Sequence, residues 1–180
     1  KHINVLRSID CIFHGSALAY VMEYAPGGDL RDILDREEEI KVPAFLIIAK
    51  QLVSGLSAIH RKNIVHRDIK PENIIYDNKN KEITPIDFEG KQTTDYCSPE
   101  QIDKKAIVTN KTDLWSIGNT VYFLVTGDTP FDGENEVQNK KLSLPQKWPS
   151  DFRDFLSCLI DRNVKTRYDA KSALNHVWLV

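Results

Sequence analysis

Apolar and polar residues come in blocks along this chain, and the period of the blocks changes from strand-like to helix-like. Ile9 to Phe13 and Ala17 to Met22 are short apolar runs separated by His14-Gly15-Ser16, the pattern of two antiparallel strands joined by a tight turn. Ala25-Pro26-Gly27-Gly28 then breaks the pattern, and because Pro and paired Gly do not continue a strand, a linker is expected there. Asp29 is placed to cap a short helix over 30–38, with the charged run 35–39 as its solvated end. From Pro43 to His60, apolar residues recur at Phe45, Ala49, Leu52, Val53, Leu56 and Ile59. That spacing of three and four predicts one helix with one buried face, and Pro43 suits its first turn.

Beyond it, Ile64-Val65, Ile74 to Tyr76 and Ile83 to Ile86 read as short strands around a polar stretch. Leu114 to Val125 is almost wholly apolar and is followed by Gly127, which predicts a buried central helix ending at that Gly. Further helices are expected over 134–141, 151–161 and 169–177. The fold class is therefore α+β, predominantly helical, with a few short antiparallel strands and no internal repeat.

Composition narrows the function classes. With 180 residues, 41% hydrophobic and 28% charged, the chain supports a core and reads as one soluble globular unit. A net charge of -2 gives no electrostatic reason to expect nucleic acid or an anionic membrane as partner, and no apolar stretch approaches a membrane span. Cys11, Cys97 and Cys158 are odd in number and lack C-x-x-C spacing, so neither a disulfide framework nor a zinc site is expected. Without the apolar run of a signal peptide after Lys1, a cytosolic or nuclear protein is expected.

The chemistry concentrates in His66-Arg67-Asp68-Ile69-Lys70-Pro71-Glu72-Asn73, which puts a base, a cation and a metal ligand into one short loop. A carboxylate five residues before an Asn, with a Lys between, suits phosphoryl transfer, where positioning and charge do most of the work. The run resembles the catalytic loop of eukaryotic protein kinases, H-R-D-L-x-x-x-N, with Ile69 in place of Leu. The resemblance implies that Asp68 accepts the proton of a substrate hydroxyl, that Lys70 steadies the transferring phosphate and that Asn73 binds Mg²⁺. Lys70-Pro71-Glu72-Asn73 is similar to the serine/threonine version of the loop, so the implied reaction is transfer of the ATP γ-phosphate to a protein Ser or Thr.

Further segments carry the same resemblance. Asp87-Phe88-Glu89 stands where the family has its magnesium-binding Asp-Phe-Gly, which makes Asp87 the second implied metal ligand and leaves Glu89 as a departure. Ser98-Pro99-Glu100 resembles the Ala-Pro-Glu that closes the activation segment, and Thr93 aligns with a Thr that hydrogen-bonds the residues at 68 and 70. Glu100 is expected to pair with Arg167, and Asp113 to brace the catalytic-loop backbone. Met22-Glu23-Tyr24-Ala25 looks like the hinge whose backbone hydrogen-bonds adenine, and Ile75 is the implied floor under the ring. Asp29 and Glu72 match positions that accept a substrate Arg in several such kinases, so Arg is expected two or three residues before the target hydroxyl.

The resemblance covers residues 1–180, with 1–24 similar to the last two strands and hinge of the kinase small lobe and 25–180 to the large lobe. The Gly-rich loop, the phosphate-gripping strand Lys and its partner Glu have no counterpart in this sequence. Only Glu89, Gly90, Lys91 and Gln92 separate the metal-binding turn from Thr93, too few for the usual activation loop. The chain alone is therefore expected to be a poor catalyst. The competing expectation is a truncated kinase-like decoy or scaffold that binds a kinase or a kinase's substrate without catalysis; the partners expected are a protein substrate with a Ser or Thr acceptor and a regulatory protein. A small-molecule kinase is a third reading, disfavoured by Thr93 and Ser98-Pro99-Glu100.

Overall fold

The computed structural model describes residues 2–15, 17–35, 42–77, 80, 82–85, 94–103 and 106–180. Strands β1 (Ser8–His14) and β2 (Ala17–Met22) form an antiparallel hairpin with Cys11 opposite Tyr20 and Phe13 opposite Leu18. Successive side chains point to opposite faces of a strand, yet Ile12 and Phe13 are both exposed, as are Ile9, Leu18 and Tyr20. Both faces of this hairpin are thus apolar and uncovered among the described residues.

The linker expectation at Gly27-Gly28 needs correction. Gly28–Asp29 forms a two-residue strand, β3, against Tyr76 and Ile75 of β4 (Ile74–Asp77), and β4 pairs on its other side with β5 (Glu82–Pro85). What permits the pairing is the approach of two backbones: Gly27 has φ 121, and a Cβ there would meet the Tyr76 carbonyl oxygen at 2.3 Å. Ile64-Val65 makes no strand.

Helix α1 (Leu30–Asp35) is started by Asp29, whose Oδ1 accepts the Asp32 N–H at 2.8 Å. Helix α2 (Val42–His60) buries the predicted face completely at Ala49, Leu52 and Val53. A 3-10 turn over Pro71–Asn73 leads into β4, and the short α3 (Pro99–Ile102) opens on a Ser98–Gln101 capping box. Helix α4 (Asn110–Thr126) begins a turn before its apolar run, because Thr109 caps it and Thr112 returns the bond. Then follow α5 (Gly133–Asn139), α6 (Ser150–Leu159) and α7 (Ala170–Leu174), the last shorter than expected.

The core lies where α2 packs against α4, with α7 on the outside of α2 and α6 on the outside of α4. Trp115 is its centre, fully buried, stacked on Phe131 at 5.6 Å and covered by the Arg167 guanidinium at 5.1 Å. The amino-terminal segment is fastened to this body by Asn4, whose amide donates to Gln51 Oε1 and to the Ile83 carbonyl. Among the described residues no helix is long and apolar enough to cross a membrane.

Candidate active site

The loop between α2 and β4 is organised by the carboxylate of Asp113, which sits fully buried in the first turn of α4, where the helix dipole favours an anion. Asp113 Oδ1 accepts the Arg67 N–H at 2.8 Å, and Oδ2 accepts the His66 N–H at 2.9 Å. The same Oδ2 lies 2.7 Å from His60 Nε2. Arg67 adopts φ 71, a left-handed conformation that costs a non-glycine residue about 1–3 kcal/mol and persists only where the surroundings fix it. A second tie comes from Gln101 Nε2, which donates to the Arg67 carbonyl at 2.9 Å.

The loop so held brings Asp68, Lys70 and Asn73 together. Asp68 is 7% exposed, and its Oδ2 lies 3.0 Å from Lys70 Nζ while accepting from Asn73 Nδ2 at 2.8 Å. Asn73 Nδ2 also donates to the Asp68 carbonyl at 3.0 Å. A carboxylate and a carbonyl only accept, so the nitrogen of the Asn73 amide faces Asp68 and its oxygen is turned elsewhere. That leaves Asn73 Oδ1 as a hard oxygen donor of the type Mg²⁺ takes.

Glu100 and Arg167 form a two-pronged pair: Nη1 donates to Oε1 at 2.5 Å and Nη2 to Oε2 at 3.0 Å. Thr112 Oγ1 donates to the same Oε1, and Arg167 also reaches the carbonyls of Lys111 and Asp161. Burial pushes the Glu100 carboxyl up, but the hydrogen bonds and charge of Arg167 outweigh it and hold the group below its ordinary value. Gln138 Nε2, donating to the Pro99 carbonyl, ties α5 to the same turn.

On the nucleotide side, Met22 ends β2 half-exposed, and the Tyr24 side chain stands in solvent. The Glu23 N–H is committed to the Arg7 carbonyl, whereas the Glu23 carbonyl and the backbone of Ala25 make no hydrogen bond among the described residues. Ile74 and Tyr76 point into the core, so Ile75 between them is half-buried on the opposite face of β4. On the acceptor side, α1 and β3 pack against the 3-10 turn, which brings half-buried Asp29 and exposed Glu72 to one edge. Asp87 and Thr93 lie outside the described residues, as do Phe88 and Glu89.

The protein kinase domain model matches residues 1–179. The chain belongs to the protein kinase family. It is 31% identical over 196 residues to the probable serine/threonine-protein kinase HSL1 of Saccharomyces cerevisiae, which covers 98% of this chain and 13% of that protein. It is 30% identical over 202 residues to myosin light chain kinase family member 4 of Homo sapiens, covering 99% of this chain and 52% of that protein. The crystal structure of Rad53 1–466 in complex with AMP-PNP superposes with a TM-score of 0.87 at 29% identity, covering 100% of this chain and 52% of that one. The chain thus spans about half or less of these relatives' length. It adopts the kinase-like, mainly helical fold that the catalytic-loop run implied.

Two contributors escaped the sequence reading. Gln101, which holds the Arg67 carbonyl, was signalled by the Ser98-x-x-Gln101 capping pattern. His60 was not signalled, since a His closing an apolar helix face says nothing of a carboxylate 53 residues later.

Proposed function

We propose that this chain is part of a serine/threonine protein kinase that transfers the γ-phosphate of ATP to a Ser or Thr hydroxyl of a protein substrate. The observation that carries the reading is the Asp68, Lys70 and Asn73 set, fixed from beneath by Asp113. Asp68 takes the proton of the acceptor hydroxyl, and Lys70 offers an ammonium to the oxygens of the group in flight. Asn73 Oδ1 and Asp87 are the residues that would hold Mg²⁺, which when bound supplies neutralising charge between the nucleotide phosphates. The Glu23 carbonyl and the Ala25 backbone would take the edge of the adenine, with Met22 and Ile75 against its ring. Binding of AMP-PNP by Rad53 supports a nucleotide at this place.

Asp29 and Glu72 would accept a substrate Arg two or three residues before the target hydroxyl, and Thr93 would hydrogen-bond the Asp68–Lys70 pair. A cytosolic or nuclear location is proposed because Cys11, Cys97 and Cys158 are not joined in a disulfide. The second reading, a kinase-like decoy or scaffold that binds a kinase or its substrate without catalysis, is favoured by Glu89 in place of the metal-loop Gly.

The test is incorporation of labelled γ-phosphate into Ser/Thr peptides by the full-length protein and its Asp68→Asn variant. Transfer that falls about 100-fold or more in the variant supports the kinase. Absence of transfer by both gives the site to the decoy, and a peptide array without upstream basic preference removes the roles of Asp29 and Glu72.

A further inference from the structure

The segment over residues 2–7 lies against the end of α2, and between them is a cavity of about 440 Å³ that is open to solvent. Its floor is apolar, made by Val5 and Leu6 of the segment and by Ala58 and Ile59 of the helix. Both walls are fixed by bonds of their own. Asn4 Nδ2 donates to Gln51 Oε1 at 2.9 Å, and His2 Nε2 lies 3.3 Å from Ser54 Oγ. The turn that ends α2 is closed by the Lys62 N–H on the Ile59 carbonyl and the Asn63 N–H on the His60 carbonyl. A groove of this volume, apolar and held in shape without a ligand, has the form of a binding site.

The rim says what kind of ligand. Arg7 comes from the segment, Arg61 and Lys62 come from the turn after α2, and no carboxylate lines the cavity. None of the three is ion-paired among the described residues. Glu23 Oε1 accepts the Arg7 N–H at 3.2 Å and makes no ion pair with its guanidinium. Cations suit the end of a helix, which accounts for Arg61 and Lys62; Arg7 stands on another element, so helix electrostatics do not explain why the three converge. We propose that this groove docks an acidic segment of a partner protein, with one large apolar side chain on the floor and flanking Asp or Glu carboxylates facing Arg7, Arg61 and Lys62. Complementary charge around an apolar anchor selects a partner and speeds its arrival. A nucleic acid fits less well, because the lining offers no Phe, Tyr or Trp for a base to stack on and the chain has a net charge of -2. The groove adjoins the catalytic loop: Ile59 precedes His60, whose Nε2 lies 2.7 Å from the Asp113 carboxylate that holds the His66 and Arg67 N–H groups.

The experiment is fluorescence anisotropy with the full-length protein, without nucleotide, at constant ionic strength. The probes are short fluorescein-labelled peptides that carry Asp and Glu around one Leu or Phe. Two controls accompany them, one with Ser in place of the apolar residue and one with Lys in place of the acids. The expected result is saturable binding that is at least about tenfold weaker in Arg7→Glu, in Lys62→Glu and with either control peptide. Both substituted positions are exposed, so the far-ultraviolet circular dichroism should be unchanged. No saturable binding, a control peptide that binds equally well, or affinity unchanged in either variant overturns the site. Tighter binding of a single-stranded oligonucleotide or of phosphatidylserine vesicles than of any peptide makes the cations a nucleic-acid or membrane contact and overturns it as well. Release of the peptide as protein concentration rises gives the groove to a second copy, with the same consequence.

Discussion

Arg67 and Asp113 hold each other: the Arg67 N–H reaches Asp113 Oδ1 at 2.8 Å, and it does so from a backbone with φ 71. The loop is bent into an unfavourable conformation by an acceptor that arrives from 46 residues away, so the geometry of Asp68, next in sequence, depends on α4 being folded and docked. Asp113→Asn keeps the shape and replaces one acceptor oxygen with a donor facing an N–H. The expected loss is about 2–3 kcal/mol, the worth of a buried charge-assisted bond turned unfavourable. It is measured as a lower urea midpoint at constant slope. Phosphotransfer should fall by about 100-fold, because a small displacement of the base costs that much.

Glu100 and Arg167 lie 67 residues apart and are both buried. Removing either leaves the other charge uncompensated, so Glu100→Gln and Arg167→Met should each cost about 3–5 kcal/mol, and the double variant less than their sum. The pair also carries a pH signature. The Glu100 carboxyl is held below its ordinary 4.5 in the folded state, so its stabilising contribution is fully present above that value and is lost as pH falls through the lower, folded one. The stability gap between wild type and Glu100→Gln should therefore be flat at neutral pH and shrink below about pH 4.5. A gap that widens on acidification would contradict the pairing.

Such pairs explain how much of the molecule was legible in its residues. The α2 face was readable because Phe45 to Ile59 repeats at helical spacing, and the 66–73 loop because its chemistry is dense. Asp29 as the cap of α1 was readable from local rules alone. What escaped depended on backbone meeting backbone, as where β3 forms at Gly28-Asp29 because Tyr76 comes within reach of Gly27. His60 escaped for a related reason: its partner is chosen by the packing of α2 on α4, and no local pattern encodes that. The short α7 reflects Asn175 and His176 turning out of the helix, with the His176 ring accepting the Trp178 N–H at 3.1 Å.

Gly55 should be as demanding as a core residue. A Cβ on it would lie 2.4 Å from the Asn4 carbonyl oxygen, closer than real contacts allow, and that oxygen belongs to backbone. Ala has the better helix propensity by about 1 kcal/mol, so an open site would gain stability from the substitution. Here Gly55→Ala is expected to lose about 1–3 kcal/mol by pushing the amino-terminal segment off α2. Hydrogen exchange checks the mechanism, because the loss should appear first at the Asn4 and Ile83 amides that this fastening orders.

Cys97 reports on the electrostatics around Asp68. Burial pushes its thiol up to about 11, and the negative charge of Asp68 pushes in the same direction. A thiol with so high a value is protonated at pH 8, and the thiolate is the nucleophile. Iodoacetamide at pH 8 should therefore modify exposed Cys11 first and leave Cys97 almost untouched in the folded protein. Asp68→Asn removes one of the two causes named, so the Cys97 rate should rise modestly while that of Cys11 stays constant. Site-resolved mass spectrometry reads both rates in one sample. Fast labelling of Cys97 in the wild type would mean that the segment following Asp95 does not pack over the catalytic loop.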